Sequence, residues 1–467
     1  MLEDMKATWQ RLTKYPELIA LITVATATRL WDLFTPSAVV FDEVYFKAFA
    51  GHYLDGHYFF DIHPPLAKLI FAGWAHLLCL TAGNLLDGNA VALRVIPAVA
   101  GILIIPLFWG ILRRLGTSRR FAFIGTLALT CENALLVESR FVLMDSLLLM
   151  CGLAAIYFYL VFQQTISRWR WLWLALAAVS AGAAASIKWT GLTALALLTL
   201  MCLGDLMSDL RSWTKRLFEL AVLILVPIII YVGSFWLHFA LLPASGDGDA
   251  FMSTKFQATL VDSPNYDNHA HLSFANRFIE LNREMFSASQ TLTATHPYGS
   301  RWYTWPLEVR PIYYWQGDTQ PNGRQGNIYL LGNPIVWWGI VLAGIAGILT
   351  LVLRRIKLSQ QSQLAISLLL IAYLMNFVPF MAVTRVMFLY HYFFSFIFSL
   401  AAVCLLWDSI SVIMVKQSVI TRQTLLWSLG AVAAAIIVGF VYFAPLSYGT
   451  PLSPSDLQAH MWLKSWR

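Results

Sequence analysis

Residues 91–120 read VALRVIPAVAGILIIPLFWGILRRLGTSRR, and two features of that stretch decide the architecture. Its first part, 91–112, is apolar almost throughout, and a helix that crosses a bilayer needs about 20 such residues. It then runs into Arg113, Arg114, Arg119 and Arg120, four arginines within eight residues. Lys and Arg collect in cytoplasmic loops, so this turn is expected inside. Working outward, 17–34, 120–136, 142–163, 170–186, 189–206, 217–241, 334–353, 364–382, 386–407 and 424–444 are apolar runs of the same kind. The stretch 64–81 can be read as a span or as an amphipathic helix in the membrane interface.

Charge separates those two readings. The polar N-terminus carries Lys6, Arg11 and Lys14. If that end and the arginine turn both face the cytoplasm, only one span fits before 91–112. That span is 17–34, and 64–81 is interfacial. The remaining basic turns, at Arg168 and Arg170, at Arg211, Lys215 and Arg216, at Arg354, Arg355 and Lys357, and at Lys416 and Arg422, then all fall inside. The expected fold is an all-α polytopic membrane protein of about eleven spans, with its N-terminus cytoplasmic and its C-terminus outside. Residues 1–467 form one membrane domain, with outer loops at 35–90 and 243–333 and an outer tail at 445–467.

Composition agrees. Of 467 residues, 58% are hydrophobic and 12% charged, where a soluble domain is nearer half apolar and about a quarter charged. The net charge of +7 is what basic cytoplasmic turns supply, and it is not read as nucleic-acid binding. Cys79, Cys131, Cys151, Cys202 and Cys404 lie in apolar stretches without CxxC spacing, which argues against a disulfide framework or a cysteine zinc site. The outer loops are rich in Trp, Tyr, His and Pro, which is not a composition of disorder. An outward-facing site is the natural inference.

The first outer loop holds Asp42 and Glu43 directly after a span. Adjacent carboxylates at a membrane surface suit general-base work, because crowding raises one pKa. They also suit a divalent cation, or simply the N-terminus of a helix. Further on, Asp61-Ile-His63-Pro64-Pro65 starts the interfacial helix, since proline fits a first helical turn. His63 there either donates to a phosphate or rests among headgroups. Arg29 lies within the first span and Arg94 near the start of the next. Buried ionisable groups in spans are usually functional, although a long side chain can also snorkel to the interface. Glu138, Arg140 and Asp145 flank a tight outer turn, where Asp145 needs a partner such as Arg140 or Lys188. Lys188, Arg385 and His391 sit at outer helix ends. In the second outer loop His269 and His271 invite a metal reading but have no third ligand at convincing spacing. Trp302, Trp305, Tyr313, Tyr314 and Trp315 are placed to stack on a sugar or a peptide, or to rest at the interface.

The run FDEVYFKAFAGHYLDGHYFFDIHPPLAKLI over 41–70 resembles the first outer loop of the protein O-mannosyltransferases, glycosyltransferase family 39 of the GT-C membrane glycosyltransferases. The resemblance continues, in order, through Glu138-Ser139-Arg140-Phe141 to Asp145, Ser186-Ile187-Lys188-Trp189, His296 to Leu307, and Arg385 to Tyr392. It implies a GT-C fold, and transfer of mannose from a polyprenyl-phosphate donor to Ser or Thr hydroxyls of an acceptor protein at the extracytoplasmic face. The family's chemistry is an inverting single displacement. The resemblance therefore implies Asp42 as base, with Glu43 orienting the acceptor or Asp42. It implies Arg385, Lys188, His63, His391, Arg29 and Arg94 on the carrier phosphate, and Asp61, Glu138, Arg140, Asp145, Trp302 and Trp305 around acceptor or sugar.

No resident cofactor is expected beyond an optional divalent cation. The lipid-linked sugar is a substrate, the other partners are acceptor protein and membrane lipids, and no nucleic acid is involved. Larger family members carry a MIR domain in the second outer loop. Its absence here, and that of an ER retrieval tail, points to a bacterial plasma membrane. Two alternatives stay open: a GT-C enzyme acting on a lipid or cell-wall glycan, and a transporter of lipid-linked sugars.

Overall fold

The computed structural model describes residues 15–86, 89–208, 211, 213–291 and 295–467. The basic segment with Lys6, Arg11 and Lys14 lies outside the described residues. The chain enters through α1 (Pro16–Leu30) and passes into a loop that holds α2 (Glu43–Asp55) and α3 (Leu66–Leu77). The bundle follows: α4 (Val95–Arg114), α5 (Arg119–Thr130), α6 (Asn133–Arg140), α7 (Asp145–Gln164), α8 (Arg170–Ile187), α9 (Leu192–Ser208) and α10 (Trp213–Leu241). The second loop carries α11 (Phe274–Thr291) and a hairpin of β1 (Ile312–Gln316) and β2 (Asn327–Leu330). The chain returns to the bundle as α12 (Pro334–Leu353), α13 (Gln360–Phe377), α14 (Phe393–Lys416) and α15 (Arg422–Tyr448), and a short α16 (Pro454–His460) follows.

Among the described residues nine helices are long and apolar enough to cross a membrane, some counted with the short turn that precedes or follows them. The protein is an integral membrane protein. The run expected as one span over 120–136 is instead the pair α5 and α6, bent by 54°. Glu132 causes the break by leaving the helical backbone and capping α6, its carboxylate accepting from Leu135 N at 2.6 Å. Its other oxygen accepts from Asn333 N at 2.8 Å and Trp337 Nε1 at 2.9 Å. Non-helical backbone at membrane depth is tolerated where protein partners satisfy it in this way. The first expected span, 17–34, contains α1, whose 15 residues fall short of a full crossing. Among the described residues the helices long enough to cross number nine, or ten with the bent pair taken as one span. α3, with 12 residues, is also too short to cross at about 1.5 Å per residue, in keeping with its interfacial reading.

The all-α expectation needs one amendment. β1 and β2 pair antiparallel, with a register shift between Tyr313 and Trp315. The residues after α15 pack back under this hairpin. Trp466 is fully buried among Phe443, Leu446 and Tyr329, and its indole donates to Glu308 O at 2.7 Å. The second loop is thereby built into a layer over one end of the bundle.

Candidate active site

Three helix ends and two loops converge beneath that layer. Asp42 stands at the N-cap of α2, half-buried and without a capping hydrogen bond. The residue before it, Phe41, is held in a left-handed turn at φ 50°, which costs a non-glycine residue about 1–2 kcal/mol. Stacking repays part of that cost, since Phe41 lies 4.2 Å from the Tyr314 ring at an interplanar angle of 8°. The register shift in β1 falls at Tyr314, and a bulge of this kind re-aims a side chain. Tyr314 OH donates to Glu138 Oε1 at 2.7 Å. Burial pushes the Tyr314 phenol well above its usual range, with Glu138 adding to the rise, so it stays a donor.

Glu43, the neighbour of Asp42, points elsewhere. Its Oε1 accepts from Arg94 Nε and Val142 N, both at 2.8 Å. Its Oε2 accepts from Arg94 Nη2 at 2.7 Å and Val40 N at 2.9 Å. Those four bonds fill the lone-pair sites of a carboxylate, leaving none for an acceptor or for a cation shared with Asp42. Of the two expectations for Glu43, only holding Asp42 in place is compatible with this geometry.

Arg94 is correspondingly not a phosphate ligand. It is fully buried, and its remaining donors reach Pro36 O at 2.7 Å and Ala38 O at 3.1 Å. Arg140 likewise reaches Trp31 O at 2.5 Å and Asp32 O at 2.8 Å, with Tyr448 against its guanidinium. Arg29 is buried beside Thr130 O at 3.4 Å. Arg94 and Arg140 clamp the chain that leads into Asp42, and Arg29 is tied to the end of α5; the expectation that the three touch carrier, sugar or acceptor is corrected. Loop carbonyls supply the desolvated guanidinium groups with partners, as burial of charge demands.

The cations that do face open space are different ones. Lys188 lies at the break after α8 and meets Asp145, at the start of α7, at 3.1 and 3.3 Å. The ammonium also sits 4.9 Å from the Tyr390 ring centre. The break depends on Gly191, where a Cβ would collide with the backbone of Ala184. His63, Lys188, Arg385 and His391 line a cavity of about 280 Å³. A second cavity of about 280 Å³ adjoins it, with Asp145, Lys188, Tyr390 and His391 at one end and Leu148, Leu149, Phe393 and Phe394 along its length. A third, of about 570 Å³, opens on the other side of Arg385 between Trp302, Arg301 and Met387.

Burial drives the His63 imidazole well below its usual range, with Lys188, Lys68 and Arg385 adding to the effect. Asp42 is raised to about 6; burial is the largest cause, Lys188 pulls the other way, and Asp145 and Asp61 add to the rise. Asp61 itself is tied to Lys68, whose ammonium also donates to His63 O at 2.7 Å. It therefore fixes the His63 turn from behind. Glu138 is buried, with Oε2 lacking a partner. Trp302 lines the third cavity. Trp305, by contrast, is fully buried, donates to Ser300 Oγ at 2.8 Å and stacks 5.9 Å from His391. It orients His391 and is closed to sugar, a second correction. Tyr390 and Lys68 are members of the site that sequence reading passed over, and Tyr314, read there only as a stacking or interface ring, holds Glu138. The described residues contain no group of three metal-ligating side chains, and His269 and His271 are exposed on the loop surface.

Residues 19–243 match the family model described as dolichyl-phosphate-mannose-protein mannosyltransferase. Residues 274–466 match that of the C-terminal four TMM region of protein-O-mannosyltransferase. The dolichyl-phosphate-mannose–protein mannosyltransferase 4 of Candida albicans is 35% identical over 276 residues, covering 54% of this chain and 36% of the relative. Its Schizosaccharomyces pombe counterpart is 32% identical over 354 residues, covering 71% of this chain and 44% of the relative. The chain spans less than half the length of the curated relatives it matches. Among solved structures, the Saccharomyces cerevisiae protein O-mannosyltransferase Pmt1-Pmt2 complex bound to the sugar donor superposes with a TM-score of 0.84 at 21% identity, covering 97% of this chain and 93% of that one. ArnT from Cupriavidus metallidurans bound to undecaprenyl phosphate gives 0.54 at 16% identity, covering 93% and 77%.

Proposed function

The chain belongs to the protein O-mannosyltransferase family and has the GT-C fold, and from that premise we propose that it transfers mannose from a polyprenyl-phosphate donor to Ser or Thr hydroxyls of acceptor proteins. One observation carries the reading. Arg385 lines the cavity it shares with Lys188, and Asp42 lies within electrostatic reach of Lys188 and Asp145. Neither the Asp42 carboxylate nor the Arg385 guanidinium has a hydrogen bond or ion pair to another described side chain or backbone group. Lys188 is matched by Asp145 and Lys68 by Asp61. An acceptor hydroxyl and a lipid phosphate would supply the two missing partners.

In this mechanism Asp42 accepts the hydroxyl proton as the acceptor oxygen attacks the anomeric carbon. The bond to the phosphate oxygen breaks on the opposite face of the sugar, and the configuration inverts. Arg385 holds the departing phosphate, since a guanidinium matches two phosphate oxygens at once. Lys188 adds positive charge, and neutral His63 retains an N–H to donate. Asp145 keeps Lys188 in position. The apolar cavity along Leu148, Leu149 and Phe394 takes the first isoprene units, and the cavity beside Trp302 takes the acceptor chain. In this reading the carboxylate base and the fixed cations of the chain carry the chemistry. The whole chain acts as one membrane domain, with 35–90 as its catalytic loop. The site faces away from the arginine turn at 113–120, and so lies on the extracytoplasmic side. The curated sequence relatives named above are fungal, so this proposal extends to the membrane and its face but not to a bacterial plasma membrane.

Two tests follow from the geometry. Asp42 works only when ionised, so kcat/KM for peptide mannosylation should fall about tenfold per pH unit below about 6 and level off above it. A flat profile from pH 5 to 8 would remove Asp42 as the base. Arg385→Ala should raise donor KM and lower kcat together, because the guanidinium meets phosphate both in the ground state and as charge develops on leaving. Unchanged donor kinetics would reduce Arg385 to a helix-end anchor.

A further inference from the structure

At the opposite end of the bundle, a cavity of about 390 Å³ lies between α5, α12, α14 and α15, with Phe121, Ile124, Cys404, Trp407, Leu425 and Leu429 in its wall. Its size falls in the usual range of ligand sites, about 300–1,000 Å³. The polar groups in the wall are already used. Trp407 Nε1 donates to Ala343 O at 2.9 Å, Ser411 Oγ to Asp408 O at 2.9 Å, and Ser428 Oγ to Thr424 O at 3.0 Å. The interior therefore offers an occupant nothing but apolar surface. Ile124 and Leu429 are shared with a second cleft, of about 500 Å³, which runs past Gly430 to Arg119 and Arg120. Arg119 is held by Glu17 at 2.7 and 2.8 Å, while Arg120 is exposed. The two cavities form a slot with an apolar floor and a mouth of net positive charge, where Glu17 pairs with Arg119 and Arg120 is left exposed.

We infer that this slot binds an anionic phospholipid of the leaflet at the arginine-rich end. One acyl chain lies between α5 and α15, and the headgroup phosphate lies against Arg120, beside the Arg119–Glu17 pair. Charge complementarity selects this occupant. Basic side chains at a membrane surface attract anionic lipid, and the wall behind them has no donor or acceptor to give a polar ligand or a peptide backbone. The slot is separate from the catalytic cavities, which lie beyond α6 at the other end of the α5–α6 pair.

Native mass spectrometry of the full chain in detergent, titrated with dioleoyl phosphatidylglycerol or dioleoyl phosphatidylcholine, tests the inference. Phosphatidylglycerol should bind about tenfold more tightly, the scale of one or two basic residues at an anionic headgroup. Arg120→Gln should remove most of that preference. Gly430→Phe should remove the tight binding altogether, since a side chain at Gly430 enters open space and meets no neighbour within 4 Å. Equal binding of the two lipids, or a preference indifferent to both substitutions, would overturn the inference. So would loss of a dimer in Gly430→Phe, which would make the occupant a second copy. On the unaltered protein, phosphatidylglycerol with a photoreactive acyl chain should label residues 404–432; labelling confined to other helices would count equally against it.

Discussion

Asp42→Asn is expected to lower turnover by about 10²–10⁴, the usual contribution of a positioned general base, while donor binding survives. The substitution is nearly isosteric and cannot accept the acceptor's proton. It also disturbs little else, because Asp42 makes no capping hydrogen bond to α2 and no ion pair with Lys188, which is committed to Asp145. Donor affinity, measured by titration of the variant with polyprenyl-phosphate mannose, should stay within about twofold, since in this account the phosphate is met by Arg385 rather than by the acid. Near-normal turnover would take Asp42 out of the mechanism. Loss of donor binding in step with turnover would instead assign it to the sugar.

Arg94→Met is expected to cost about 3–5 kcal/mol of stability, because it strands Glu43 as a buried charge without its counter-ion. The guanidinium ties Glu43 to Pro36 O and Ala38 O, so the strap that delivers Asp42 to the site should loosen with it. Activity would then fall although Arg94 touches no substrate. The double variant Glu43→Gln, Arg94→Met removes the stranded charge and should recover part of the loss. Melting temperature in detergent reads both effects. A single variant as stable as the parent, with donor KM raised, would return Arg94 to the phosphate ligands.

The arginines show where sequence reading stops. An ionisable residue in an apolar run is costly, and sequence alone offers substrate as its natural partner. Arg29, Arg94 and Arg140 found main-chain carbonyls from the first loop and from α5 instead. Those partners come from segments distant in sequence, and carbonyls leave no residue signature. The bundle itself was legible because each long helix satisfies its own backbone and declares itself by apolar length. The bent pair was not, since its break relies on Asn333 and Trp337 from α12. Asp42, Lys188, Arg385, His63 and Asp145 were legible from their loop positions and their motifs. Tyr390 was hidden by the abundance of aromatic residues that any membrane interface carries, and Tyr314 was legible only as one ring among several, without its bond to Glu138. A local signal for Tyr390 existed, because it lies between Arg385 and His391 in a stretch already singled out.

The central claim is that a hydroxyl on a protein receives the sugar. It is tested most directly by incubating the purified full chain in nanodiscs with radiolabelled polyprenyl-phosphate mannose and a Ser/Thr-rich peptide, then locating the label by mass spectrometry. The account predicts one hexose on a Ser or Thr oxygen of the peptide, with inverted configuration, and none when Asp42→Asn replaces the parent. Donor consumed with the label in lipid, glycan or free sugar, and none on the peptide, would contradict it.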